Sequence, residues 1–241
     1  MAIALLFIVF GLLLLLGVPV AFALAGAALA TLLYLDVPSI VLVQQVSAGS
    51  GSASLIAIPL FIFAGELMLR GGISERLIAL ASALVGRLRG GLGQVSILSS
   101  LFFGGVSGSA IADVSAVGGT MIPQMVKRGY DRDYAVNVSI TAALVALLVP
   151  PSHNLILYSA AAGGGLSIAD LFAAGIVPAL LMTLALMVTG YVVARRRGYG
   201  VEPFPGRRAV LIRLLAALPG LGLVGLIFFG IRAGISARGG A

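Results

Sequence analysis

The sequence predicts an all-α integral membrane protein with several spanning helices, and three observations support this prediction. Of its 241 residues, 60% are hydrophobic and 10% are charged, and the mean hydropathy is +1.16. Soluble domains carry about 25% charged residues, so these charges are too few to cover a water-soluble surface. Uncharged runs at 2–35, 90–112 and 134–169 are long enough for spanning helices, which need about 20 apolar residues. They are continuously apolar, which favours helices over alternating strands.

The charge pattern and the residue types argue against several functions. The net charge of +7 comes from short Arg and Lys clusters between apolar runs. Cytoplasmic loops of membrane proteins have this pattern, so the charge does not predict a nucleic-acid partner. With no cysteine there is no disulfide or thiolate site, and one histidine cannot form a metal cluster. No motif pairs a nucleophile with a base, so we expect no enzyme and no cofactor beyond a coupling ion.

The first region, residues 1–89, is predicted to hold membrane helices and an interfacial arm. Residues 2–35 form either one long tilted helix or two short helices broken at Gly17-Val18-Pro19. One helix of this length would exceed a bilayer core of about 30 Å, so tilt or a break is needed. Residues 36–54 are small and polar and predict a loop or an interfacial segment.

Two short helices are predicted next. Residues 55–69 are apolar and carry Glu66, which either has a function or lies at the membrane interface near Arg70. Residues 73–89 are amphipathic and are expected to lie in the interface. The apolar positions at helical spacing are Ile73, Leu77, Leu80, Leu84 and Leu88.

The second region, residues 90–197, contains two backbone breaks. A Gly/Ser stretch at 104–109 interrupts the apolar run 90–126, which basic clusters flank on both sides. Two thin spans or a re-entrant helical hairpin fit this pattern. The hairpin is favoured, because irregular backbone is tolerated at membrane depth only where it is buried or lines a cavity.

The second break interrupts the run 131–163, for which Asp131 is the predicted N-cap. Pro150 and Pro151 remove two backbone donors, so this run predicts a discontinuous transmembrane helix. A turn at Gly163-Gly164-Gly165 and a return span at 167–194 follow. The third region, residues 198–241, is a basic linker and a further span.

Secondary transporters build solute and sodium sites from such breaks, so the two breaks together predict a binding site. Sodium is a hard cation that prefers oxygen ligands. The tentative sodium ligands are the side chains at the two breaks that carry a hydroxyl or amide oxygen: Ser107, Ser109, Ser152 and Asn154. Taken singly, the Gly/Ser stretch could be a tight helix crossing and the prolines a kink.

Two further polar residues lie near the breaks. Asp113 is an intramembrane acid, which is either functional or satisfied by backbone amides at a helix N-terminus. His153 either contacts a solute or makes a structural hydrogen bond. The full set of predicted ion- or substrate-binding residues is Ser107, Gly108, Ser109, Asp113, Pro150, Pro151, Ser152 and Asn154.

The stretch GGVSGSAIADVSAVGGTMIPQMVKRGYD (104–131) resembles the hairpin of the large membrane subunit of TRAP transporters, the tripartite ATP-independent periplasmic (DctM-like) family. The stretches LLLLLGVPVAFALAG (12–26), IPLFIFAGELMLRGG (58–72), PPSHNLILYS (150–159) and ADLFAAGIVPALL (169–181) match the same family in the same order. The hairpin motif is specific, whereas the Leu-rich parts are not.

This resemblance implies the first repeat of an inverted-repeat, elevator-type fold in the bacterial inner membrane. It implies a sodium symporter that imports small organic acids. The implied partners are a small four-helix membrane subunit, a periplasmic solute-binding protein and membrane lipid. In that family Ser107, Gly108 and Ser109 would form the first hairpin tip, and Pro150, Pro151, Ser152 and Asn154 would form the facing break.

The chain departs from the family in length, since members are close to twice as long and carry a second hairpin. We therefore expect a fragment, a frameshifted product or one part of a split protein, which presents half of a site. Two alternatives to a transporter subunit stay open: a truncated, non-transporting membrane scaffold and a membrane-embedded enzyme.

Overall fold

The computed structural model describes residues 1–38, 40–50, 53–162, 166–203 and 205–232. Every regular element in these ranges is a helix, which confirms the predicted all-α class for them. The chain divides into two compact units, Met1–Ile56 and Ala57–Ala241.

The first unit contains α1 (Ala2–Leu15), α2 (Val20–Tyr34) and α3 (Ile40–Ser50). Two short helices, rather than one long one, therefore occupy 2–35, and the Leu13 side chain of α1 lies against Gly26 of α2. Of the two alternatives predicted for 36–54, the loop is wrong for Ile40–Ser50, which is helical, and the interfacial segment stays a prediction. Most of this helix consists of apolar residues and glutamines, and its small residues lie only at the C-terminal end.

Two helices follow, α4 (Ala53–Arg70) and α5 (Ile73–Val85), as predicted. The Arg70 guanidinium pairs with Glu66 one turn earlier, with Nε 3.0 Å from Oε1. α5 buries Leu77 and Leu80. The predicted end of this helix at residue 89 is wrong, because the helix stops at Val85 and Leu88 lies in the following turn. Leu84 is within the helix and exposed. The interfacial position of this helix stays a prediction.

The next four elements form a helical hairpin. α6 (Gly91–Ser107) is followed by α7 (Ala110–Asp113), a π-helical turn (Val114–Gly118) and α8 (Gly119–Lys127). The chain reverses direction at Gly108, and the returning arm packs along α6. The predicted break in the Gly/Ser stretch is therefore confirmed, with the two arms side by side.

The second interrupted helix is also confirmed. α9 (Arg132–Ala143) passes through a 3₁₀ turn (Val145–Leu147) into an irregular segment, and α10 (His153–Ala161) follows. The irregular segment contains the Pro150–Pro151 peptide, which is cis. The turn predicted at 163–165 lies outside the described residues.

Two long helices complete the second unit, α11 (Ile168–Arg196) and α12 (Arg207–Arg232). Within the described ranges, α11 is the one helix that is long and apolar enough to cross a membrane by itself. The shorter apolar helices are α1, α2 and α6. α11 ends with Arg195 and Arg196, two residues beyond the predicted return span 167–194. Residues 233–241 lie outside the described part of the chain.

Residues 197–202, together with Arg128 and Asp131, form a polar cluster at the base of the hairpin, which we call the basal clasp. Arg197 Nη1 lies 2.7 Å from Asp131 Oδ2, and the Tyr199 hydroxyl donates to the same oxygen at 2.8 Å. Arg128 Nη1 lies 2.8 Å from Glu202 Oε1. Asp131 is the N-terminal flanking residue of α9, as predicted, but its side chain makes no capping bond because the clasp engages it instead.

The clasp also joins the two arms of the hairpin to the segment after α11. The Gly90 N–H donates to the Gly200 carbonyl at 3.1 Å, and the Glu202 N–H donates to the Gly86 carbonyl at 3.0 Å. The Tyr199 ring packs against Tyr130, with centroids 4.3 Å apart. The start of α6 and the end of α8 are therefore held at one end of the second unit.

Candidate functional site

The tip of the hairpin is a tight reversal centred on Gly108. Its φ of +58° lies in the left-handed region, and its N–H donates to the Gly104 carbonyl at 2.8 Å, which ends α6. Ser109 begins α7 as its N-cap, where its hydroxyl accepts the Ala112 N–H at 3.4 Å. A left-handed glycine and a capping serine are the residue types that helix ends favour, so the sequence specifies this tip locally.

Ser107 occupies the inner side of the tip. It is buried, and its Oγ accepts the Ser109 N–H at 3.3 Å and lies 3.4 Å from the Ser109 carbonyl oxygen. Both distances exceed the usual 2.5–3.2 Å of strong hydrogen bonds. The Ser107 hydroxyl is therefore only weakly engaged within the tip.

The irregular segment of the second helix ends at Ser152. Pro150 and Pro151 contribute no backbone donors, and Ser152 is fully buried behind them. Its Oγ donates to the Leu147 carbonyl at 2.5 Å, which bridges the break. The break therefore has a defined shape rather than being an open loop.

The tip and the break are in direct contact. A β-carbon on Gly108 would overlap the Pro151 carbonyl oxygen and would lie 3.1 Å from the Ser152 Cα. Gly65 of α4 flanks the tip, since a β-carbon there would lie 3.5 Å from the Ser107 Cα. Two breaks separated by more than 40 residues in sequence thus form one cluster.

Two further close approaches support this cluster, and the one at Gly104 agrees with the tight helix crossing considered for the Gly/Ser stretch. A β-carbon on Gly104 would lie 2.6 Å from the Ala146 Cα, so α6 packs tightly against the 3₁₀ turn. A β-carbon on Gly175 of α11 would lie 2.5 Å from the Leu148 carbonyl oxygen. Small residues permit such close packing in membrane helices, but sequence does not reveal which backbone each one faces.

Asn154 and His153 lie just beyond the contact, in the first turn of α10. Asn154 is exposed, and within the described residues no hydrogen bond joins it to the tip. His153 is half-buried, and its Nε2 is enclosed without a hydrogen-bond partner in the described part of the chain. The structural hydrogen bond considered for His153 is therefore not seen at that atom.

Asp113 lies one turn beyond the tip, between the two arms. It is 1% exposed, and its Oδ2 accepts the Ser100 hydroxyl of the facing arm at 2.6 Å. Its Oδ1 is buried with no partner among the described residues. The side chain is bound by a hydroxyl and not by backbone amides, so it belongs to the hairpin interior rather than to the tip contact. Ser100 was missed, although a Ser99-Ser100 pair in an apolar arm marks that position.

The sequence comparison identifies the family. Residues 7–239 match the family described as the tripartite ATP-independent periplasmic transporter, DctM component. The chain belongs to this family. DctM-family proteins are membrane-embedded transporter permeases, so the resemblance carried by the hairpin stretch 104–131 is confirmed.

Several curated relatives are identical to this DctM-family chain at more than a third of the aligned positions. The C4-dicarboxylate TRAP transporter large permease protein DctM of Vibrio cholerae is 38% identical over 98% of the chain and 52% of the relative. The sialic acid TRAP transporter large permease protein SiaM of the same organism is 38% identical over 89% of the chain and 51% of the relative. An uncharacterized protein of Salmonella typhimurium, YgiK, is 40% identical over 94% of the chain and 52% of the relative. The chain spans about half the length of these relatives.

Proposed function

We propose that this DctM-family chain supplies half of the large permease subunit of a sodium-coupled secondary transporter. The contact between Gly108 at the tip and Pro151 at the break supports the proposal most directly. Irregular backbone at membrane depth requires burial or a cavity, and transporters place ion sites where such broken segments meet. The cluster around Ser107, Ser109 and Ser152 is such a meeting point.

The proposed sodium ligands are oxygens of the cluster. Ser107 Oγ has only long hydrogen bonds, and Ser152 Oγ uses its proton on Leu147 while keeping lone pairs. The Pro151 carbonyl points at the tip. Ser109 and Asn154 complete the candidate set. Hydroxyl and carbonyl oxygens without a fixed negative charge suit a monovalent hard cation.

The proposed orientation follows from the basal clasp. Arg128 and Arg197 both belong to the clasp. Arg87 and Arg89 lie in the neighbouring turn, which is hydrogen-bonded to the clasp through Gly86 and Gly90. Positive residues concentrate on the cytoplasmic side of membrane proteins. We place the clasp there, so the tip of the hairpin lies within the bilayer and the hairpin is re-entrant. From the family we further propose a multi-pass, elevator-type subunit in the inner membrane.

The proposed solutes are small organic acids delivered by a periplasmic binding protein, with a small four-helix membrane subunit as the second partner. Relatives are named for C4-dicarboxylates, sialic acid and isethionate, all of which are acid anions. The exposed Asn154 amide beside the tip can donate to such an anion.

Uptake into vesicles tests the proposal. The chain is co-expressed with the half of a relative that it does not match, together with the small subunit and a binding protein. Uptake of labelled dicarboxylate is then measured under a sodium or a potassium gradient. We expect sodium-dependent uptake. We also expect Ser107→Ala to raise the half-saturating sodium concentration about tenfold, which corresponds to a loss of about 1.4 kcal/mol in the free energy of sodium binding. Ser115→Ala, on an exposed face of the same hairpin, is the matched control.

Two results would contradict the proposal. Uptake at the same rate in potassium would exclude sodium coupling. No uptake from a correctly assembled complex would favour the alternative function, a non-transporting membrane scaffold.

A further inference from the structure

A stripe of polar side chains lies uncovered on α9. Asp133, Asn137 and Thr141 are spaced by four residues, so they occupy one face of the helix, and all three are exposed. α9 begins at the basal clasp, and Thr141 lies about 15 Å along it, given a rise of 1.5 Å per residue. The stripe therefore extends from the proposed membrane surface into the hydrocarbon region.

Lipid is a poor neighbour for this stripe. The Thr141 hydroxyl is satisfied by the Asn137 carbonyl within the helix. In the described part of the chain, no group is hydrogen-bonded to the Asn137 side-chain amide. A buried amide without a partner costs several kcal/mol in an apolar medium, and polar residues of membrane helices face protein or water for this reason.

The stripe forms one wall of a groove of about 300 Å³ between α9 and α11. Leu186, Thr189 and Val193 form the opposite wall, and Ile97 of α6 lies at its floor. Tyr134 Oη donates to the Gly190 carbonyl at 3.3 Å and joins the walls. The groove is large enough for side chains but not for a whole helix, so its shape suits side chains that project from a helix lying across it.

We propose that the groove between α9 and α11 is the docking surface for a membrane helix from the half of the DctM-family fold that this chain does not contain. The Vibrio cholerae relatives contain about as much sequence again outside the matched part. Because the family is membrane-embedded, this remaining sequence is the proposed source of the docking helix. The docking helix carries small residues and at least one side chain that bonds the Asn137 amide, since small and polar residues hold membrane helices together.

The groove also carries a charge pattern that orients this helix. Asp133 and Arg197 both line its end near the basal clasp, with opposite charges. Arg197 is engaged by Asp131, whereas Asp133 faces the groove without an ion pair in the described part of the chain. A basic residue near the cytoplasmic end of the docking helix complements Asp133.

Thiol labelling tests the surface directly, because the chain has no cysteine. Asn137→Cys and Thr141→Cys are compared with Val188→Cys, which is 62% exposed on α11 outside the groove and at a similar distance from the clasp. Each is labelled with a membrane-permeant maleimide, alone and in complexes purified through a tag on the second half of Vibrio cholerae DctM. We expect both groove thiols to react about tenfold more slowly in the complex, since a packed thiol reacts only on local opening, and Val188→Cys to be unchanged.

Co-purification provides a second measurement that does not depend on labelling. The double variant Asn137→Leu/Thr141→Val removes the polar stripe, so we expect the chain alone to be recovered as well as the unmodified chain but to retain much less of the second half. Equal retention, or equal groove labelling with and without the second half, would overturn the proposal. A disulfide between two Asn137→Cys chains would assign the groove to a second copy instead. Neither readout uses sodium or solute, so failure here is distinct from failure of the proposed transport function.

Discussion

The Pro151 carbonyl oxygen occupies the space beside Gly108 in which any other residue would place its β-carbon. This relationship joins the hairpin tip to the broken helix, and it explains why a glycine is needed for packing as well as for backbone conformation. The proposed role in an ion-coupled permease depends on that contact.

Gly108→Ala is therefore expected to destabilise the chain. A left-handed backbone costs a residue with a β-carbon about 1–2 kcal/mol, and the overlap with Pro151 adds a packing penalty of about 1–3 kcal/mol. Gly119→Ala is the control, because it lies in the same hairpin at a helical φ with no atom within 4 Å of the added carbon. Thermal unfolding followed by circular dichroism should show a lower midpoint for the first variant only. Equal midpoints would mean that the tip does not pack against the break.

Ser100→Ala tests the interior of the hairpin. The substitution leaves both Asp113 oxygens buried without a partner, and we expect a loss of about 1–3 kcal/mol in the free energy of unfolding. Ser115→Ala removes a hydroxyl that bonds the Ile111 carbonyl on an exposed face, and it should change stability by less than about 0.5 kcal/mol. Denaturant titration compares the two. A loss at Ser100 no larger than at Ser115 would show that the arms do not meet at this bond.

The basal clasp should make stability depend on pH in the acid range. The hydrogen bond from Tyr199, assisted by the Arg197 guanidinium, holds the pKa of Asp131 below its ordinary value. A lowered pKa in the folded state stabilises the fold above the ordinary aspartate pKa of about 3.9, and this contribution is lost as the pH falls through the folded-state value.

Tyr199→Phe is expected to weaken that dependence, because the pKa of Asp131 returns towards its ordinary value. Unfolding midpoints measured on both sides of about pH 4 should differ less in this variant than in the unmodified chain. Tyr191→Phe, on the exposed surface of α11, is the matched control and should follow the unmodified chain. If Tyr199→Phe and Tyr191→Phe give the same pH profile, Asp131 is not stabilised by the clasp.

The breaks were predictable from sequence because their causes are local. Gly108 permits a left-handed backbone, and the two prolines fix φ and lack N–H donors. The hairpin tip and the discontinuous helix therefore followed from residue types. Their contact was not predictable from these residues alone, since it depends on Gly104 and Gly175 admitting the neighbouring backbones. The resemblance to the DctM family supplied that expectation.

Other differences between the predicted and the observed structure are caused by tertiary contacts. Asp131 was expected to cap α9, but Arg197 and Tyr199 are distant in sequence and bind its carboxylate instead. The partner of Asp113 lies on the facing arm, so spacing along one helix could not identify Ser100. The helix at Ile40–Ser50 was missed because the small residues near its end outweighed the apolar residues before them.

Labelling of Ser109→Cys in the presence and absence of sodium is the most direct test of a sodium site at the hairpin tip. The chain has no other thiol, and Ser109 lies at the tip against the break. In a complex with the missing half, its rate of modification is measured in sodium and in potassium at equal ionic strength, with Ser115→Cys as the control. We expect sodium to slow the labelling of Ser109→Cys and to leave the control unchanged. Ready labelling of Ser109→Cys at the same rate in both salts would contradict a sodium site at the tip.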